Sequence, residues 1–150
     1  NLLNGINPDF SLNLISATDI GIDNVIIIKE KLQKGEVVVS AGDRTASRNE
    51  KKSVPVNFLW EKANFPLGTF TLASLMESKI YFVFFMKSEK EEAYNFYLYK
   101  AETNFVSRAN RKENLVKIID EYVMHLEKIC LEYPYQWYNF FDFWKIQKSD

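Results

Sequence analysis

The run Val37-Val38-Val39-Ser40-Ala41-Gly42-Asp43-Arg44-Thr45 is followed closely by Val54-Pro55-Val56-Asn57-Phe58-Leu59 and Phe65-Pro66-Leu67-Gly68-Thr69. An unbroken apolar stretch that ends on Asp-Arg reads as a strand covered on both faces, with a charged tip where it leaves the sheet. A second strand and a helix start carrying Pro and Gly come next. In open α/β sheets ligands bind beyond the carboxyl ends of the strands, so this order predicts an α/β fold with a ligand site at Asp43 and Arg44.

The other elements follow from periodicity. A helix capped by Thr18 or Asp19, with Ile22, Val25, Ile26, Ile28 and Leu32 on its buried face, is expected to stop at Gly35. The predicted covered strand runs from about Glu36 to Ala41. Pro55 lacks a backbone donor, which sends the strand Val54 to Leu59 to a sheet edge. Leu67 to Met76 reads as a helix, with Pro66 suited to its start.

Ile80 to Met86 is apolar throughout and Tyr94 to Tyr99 is rich in aromatics, so a hairpin across a charged turn, Lys87 to Glu92, is expected. From Arg111 to Leu131, apolar residues from Leu115 to Cys130 recur at helical spacing and predict a long amphipathic helix. Tyr133 to Trp144 holds three Tyr, three Phe and two Trp in twelve residues. A solvated terminus does not carry that load, so the tail is expected to fold back on the sheet. Trp and Tyr also suit a lipid interface, which makes peripheral membrane contact the second reading.

The sum is an α/β fold: a mixed, mostly buried β-sheet flanked by helices, with a long C-terminal amphipathic helix and an aromatic tail. At 150 residues and 47% hydrophobic content the chain can bury one real core. A net charge of −1 argues against a general nucleic-acid binder. One cysteine, Cys130, excludes an internal disulfide, and its place in a helical apolar stripe marks a reduced core thiol in a cytosolic redox setting. His125 lies beside the same stripe as a boundary residue, with no second ligand at metal spacing, so no metal is expected. Phosphate-loop, dinucleotide, paired Cys-x-x-Cys and Gly-x-Ser-x-Gly motifs are absent from the sequence.

Gly42-Asp43-Arg44, Val54-Pro55-Val56, Phe65-Pro66-Leu67-Gly68 and Tyr133-Pro134-Tyr135-Gln136-Trp137-Tyr138-Asn139-Phe140, in that order, resemble the lysophospholipid acyltransferase superfamily. The branch they are most similar to contains the lipid A biosynthesis (lauroyl/myristoyl-type) acyltransferases. The resemblance spans about Asp19 to Trp144. It implies a glycerolipid acyltransferase-like fold and transfer of a fatty acyl group to a hydroxyl of a lipid or glycolipid. The donor would be a thioester of acyl-carrier protein or coenzyme A, with no other cofactor. It also implies a cytoplasmic protein, peripheral on the cytoplasmic side of the inner membrane.

The family's catalytic signature is a His followed five residues later by Asp or Glu, whereas His125 is followed five residues on by Cys130. With an opening at Asn1 and no signal-peptide pattern, residues 1–150 are expected to be the C-terminal portion of a single acyltransferase domain. The catalytic N-terminal portion would lie outside them. No catalytic residue is expected here. The expected substrate-binding residues are Asp43, Arg44, Thr45, Arg48, Gly68 and Thr69, with Lys51 assisting. Arg44 and Arg48 would hold a phosphate, Asp43 would fix the Arg44 rotamer, and Gly68 and Thr69 would let an anionic group approach a helix start. The alternative is a non-catalytic lipid- or protein-binding module.

Overall fold

The computed structural model describes residues 14–15, 21–44, 53–88, 92–103, 105, 110–140 and 142–144. The chain clusters into two compact units, Asn1–Val39 and Ser40–Asp150.

In the first unit, α1 spans Ile22–Gln33. Its expected caps, Thr18 and Asp19, lie outside the described residues, and Gly21 in extended conformation holds the N-cap position. The end is as expected. Gly35 takes φ +82°, which costs glycine little, and its amide reaches the Leu32 carbonyl at 3.0 Å.

The expected covered strand at Glu36–Ala41 is absent. These residues form no ladder, and Val37 and Val39 are 85% and 88% exposed. Three consecutive valines supply β-propensity, but a strand exists only where a neighbour takes up its backbone groups, and no described strand pairs here.

The second unit contains β1 (Ser53–Phe58), β2 (Glu61–Pro66), α2 (Gly68–Met76), β3 (Tyr81–Lys87), β4 (Tyr94–Lys100) and α3 (Arg111–Glu132). Among the described residues it combines helices with two separate two-stranded antiparallel sheets, β1-β2 and β3-β4, in place of the single mixed, mostly buried sheet that was expected. The β3-β4 hairpin, α2 and the long amphipathic helix fall where the pattern placed them. Pro55 also sits as expected, because each strand of a two-stranded ladder has a free edge.

Strand β2 is the unanticipated element, and its turn explains why. Phe58 pairs with Glu61, leaving Leu59 and Trp60 as a two-residue loop with φ of +48° and +70°. Two positive φ values are those of a type I′ turn, which normally carries Asn-Gly. Glu127 of α3 steadies this turn, its carboxylate accepting the Leu59 amide at 2.9 Å. Because Trp60 is 83% exposed, its ring contributes little burial to offset the left-handed backbone. Trp60→Gly is therefore expected to stabilise the chain by about 1 kcal/mol, read as a raised urea midpoint at unchanged slope.

The core lies between the inner faces of both hairpins and the buried stripe of α3. Phe58, Ala63 and Phe65 of the first hairpin and Phe82 and Phe84 of the second belong to one cluster with Ile118, Ile119, Val123, Leu126, Ile129 and Cys130. The tail folds back onto this cluster. Phe143 is buried, and the Trp137 and Trp144 rings lie 5.2 and 6.1 Å from that of Phe58. Cys130 is a buried thiol, pushed up to about 12 chiefly by burial and secondarily by the charges of Asp43 and Glu127.

Candidate functional site

The segment Ser40–Arg44 is held at three points. At its start the Thr69 hydroxyl, in the first turn of α2, donates to the Ala41 carbonyl at 3.3 Å and lies 3.2 Å from the Ser40 hydroxyl. In the middle, Gly42 rests on the Tyr122 ring, where an added Cβ would stand 2.7 Å from Tyr122 Cζ. Only a residue without a side chain permits that approach. At its end Asp43 and Arg44 meet the aromatic tail.

Trp137 Nε1 donates to Asp43 Oδ2 at 3.3 Å, and Asp43 Oδ1 lies 3.5 Å from Arg44 Nε. Arg44 Nη2 donates to the Tyr138 carbonyl at 3.0 Å, and Nη1 makes a longer contact with Asn139 Oδ1 at 3.5 Å. The Asp43 side chain is 15% exposed and that of Arg44 44%. The carboxylate is thus mostly enclosed, while the Arg44 side chain as a whole is about half exposed. The Asp43 carboxylate, the Tyr138 carbonyl and the Asn139 side chain between them face all three guanidinium nitrogens, which fixes the direction of the Arg44 side chain.

The enclosed Asp43 charge also reaches the core. Tyr122 is held above its ordinary phenol range first by burial and then by the Asp43 carboxylate. His125 is displaced the other way, held below its usual range first by burial. It stacks on Tyr99 with centroids 4.0 Å apart, the half-buried boundary placement expected of it.

Two further contacts fix the tail. Gln136 binds the end of β3 as a peptide unit would, accepting the Lys87 amide at 2.7 Å and donating to the Lys87 carbonyl at 2.8 Å. Trp144 Nε1 donates to the Phe58 carbonyl at 3.1 Å.

Of the residues expected to bind substrate, Asp43 and Arg44 form one cluster, and Thr69 positions the segment that carries them. Gly68 is exposed, with open space where a Cβ would stand. Thr45, Arg48 and Lys51 lie outside the described residues. The tail residues Trp137, Tyr138 and Asn139 complete the cluster, and sequence reasoning did not assign them to the site. Their signal was the aromatic density of the tail, which announced docking without naming the acceptor.

An open groove of about 470 Å³ lies elsewhere, between β1-β2 (Pro55, Val56, Asn57, Lys62) and α3 (Val116, Asp120, Val123, Met124, Glu127). None of the expected site residues lines it. Among the described residues there is no group of three or more His, Cys, Asp or Glu able to hold a metal, and no helix long and apolar enough to cross a membrane. No protein family, curated protein or solved structure matches the chain.

Proposed function

We propose that this chain is the substrate-anchoring part of an acyltransferase that moves a fatty acyl group from an acyl thioester to a hydroxyl of a lipid or glycolipid. One observation carries the reading. Two of the four sequence motifs that together carry the resemblance to the lysophospholipid acyltransferases, Gly42-Asp43-Arg44 and Tyr133 to Phe140, are bonded to each other across |i−j| = 94 through Asp43–Trp137 and Arg44–Tyr138. Two motifs far apart in sequence acquire a joint meaning when they build one polar cluster around a charged pair.

In this reading Arg44 grips a phosphate of the donor or acceptor, Asp43 and the tail set its direction, and Thr69 fixes the segment beneath. The transfer itself has the acceptor hydroxyl attack the thioester carbonyl, lose its proton to a base and expel the thiol. The base and its acid partner would come from outside these 150 residues, as His125 is stacked on Tyr99 and followed five residues on by Cys130. The proposed setting is the cytoplasmic side of the inner membrane. That same lack of a His-acid pair favours the second reading, a non-catalytic lipid- or protein-binding module.

Arg44→Ala in the protein at its native length tests the proposal. Losing a charged hydrogen bond costs about 1.5 to 3 kcal/mol, so acyl transfer from a labelled thioester should fall by about 10- to 150-fold. Arg44→Lys keeps the charge but loses the fork and should recover only part of the rate. An Arg44→Ala rate within about twofold of the parent, with the melting transition intact, would remove Arg44 from substrate binding.

A further inference from the structure

The outer face of the β3-β4 hairpin is apolar at its centre, carries a lysine at each end and is exposed. Its register places Tyr81 beside Lys100, Val83 beside Leu98, Phe85 beside Phe96 and Lys87 beside Tyr94. The six apolar or aromatic members of this face are between 43% and 70% exposed, while Phe82 and Phe84 on the opposite face are buried. β3 is apolar at six successive positions, the composition of a strand covered on both sides, yet it is covered on one. With four aromatic rings about half exposed and two aliphatic side chains, the face offers roughly 500 Å² of apolar surface. That stands at the upper end of what a monomer leaves uncovered.

We infer that this face is an isologous interface that pairs with the same face of a second copy of the chain. The inference is independent of the acyltransferase reading and rests on the symmetry of the face itself. A two-fold axis between two such faces, running across the strands, sets Val83 over the second copy's Phe85 and Leu98 over its Phe96. The same axis sets Tyr81 over Lys87 and Lys100 over Tyr94. An axis along the strands sets Val83 over Leu98, Phe85 over Phe96, and again each terminal lysine over a tyrosine.

In neither arrangement does lysine face lysine. Apolar residues meet apolar residues at the centre, and each ammonium meets an aromatic ring at the rim, the self-complementarity that a two-fold contact requires. Two copies would bury about 1,000 Å² together, the lower bound of a specific interface. Pairing also stacks the outer faces of two hairpins as a two-layer sandwich about 10 Å apart.

Sedimentation equilibrium of the chain, from micromolar to submillimolar concentration, tests this. The expected result is a reversible association to twice the 17.6 kDa chain mass. Phe85→Glu puts a carboxylate at the centre of the face and should weaken dimerisation by roughly 100-fold or more, with the far-ultraviolet circular dichroism retained. Leu98→Glu provides a second variant on the other strand. If both variants fail to fold, lysine cross-linking of mixed isotope-labelled and unlabelled wild-type chains decides, with Lys100 expected among the intermolecular links. A monomer throughout, a monomer that instead binds anionic lipid vesicles, a dimer unmoved by both folded variants, or cross-links that avoid Lys100 would each overturn the inference.

Discussion

Phe58→Ala is expected to lower the unfolding free energy by about 3 to 5 kcal/mol, measured as a fall of the urea midpoint. Phe58 is fully buried at the end of β1, and its ring lies 5.6 Å from Phe65, 5.2 Å from Trp137, 5.7 Å from Phe143 and 6.1 Å from Trp144. Three of those four rings belong to the tail, so the cavity would open between the sheet and the tail that closes over it. Large rigid rings collapse poorly into such a void, which puts the cost toward the upper part of the range. Tail docking should fail before the rest of the fold. Trp137 and Trp144 fluorescence is expected to shift toward solvent-exposed emission at a lower urea concentration than the loss of helical circular dichroism.

This substitution reaches the candidate site without touching it. Trp137 packs against Phe58 on one side and donates to Asp43 on the other, so the ring joins core packing to the setting of the Asp43-Arg44 pair. A cavity at Phe58 should therefore loosen Arg44. The same ΔΔG taken from a remote part of the core, as by Ile118→Ala, should leave Arg44 in place. Comparing the two variants at matched stability separates general destabilisation from loss of the site.

What the sequence made legible was local. α3 was readable because Ile118, Ile119, Val123, Leu126, Ile129 and Cys130 repeat at helical spacing and all six are buried. The β3-β4 hairpin was readable because two strand-like runs flank a charged turn. The β1-β2 hairpin was only half readable. Leu59-Trp60 carries none of the glycine or asparagine that marks a I′ turn, so β2 merged with the helix start that follows it.

The non-local features were less legible, beyond the docking of the tail. The valines Val37 to Val39 have every local mark of a covered strand, yet pairing depends on a neighbour that no spacing reveals. The composition of the candidate site was legible in part for the same reason. Asp43 and Arg44 stood out as charges where an apolar run ends, but their partners lie across |i−j| = 94 and were visible only as excess aromatic residues.

Gly42→Val should combine a large stability loss with displacement of the site. An added Cβ meets Tyr122 Cζ at 2.7 Å and both Cε atoms at 3.0 Å, so either the ring or the Ser40–Arg44 segment must move. The tip of a tyrosine often yields cheaply, but this one is walled in by Phe65, Phe70, Phe82 and Phe84, with centroids 5.6 to 6.3 Å away. Overpacking of a site this confined costs about 3 kcal/mol, with the branched valine worse than alanine. The segment is the softer party, since hydrogen bonds at its ends hold it and a buried ring cluster holds Tyr122. Its displacement would draw Asp43 from Trp137 and Arg44 from the Tyr138 carbonyl. The test is a double-mutant cycle with Asp43→Asn, which weakens the Trp137 contact. If Gly42 acts by seating Asp43, the two losses should be less than additive by about 1 kcal/mol, whereas strict additivity would confine the role of Gly42 to packing against Tyr122.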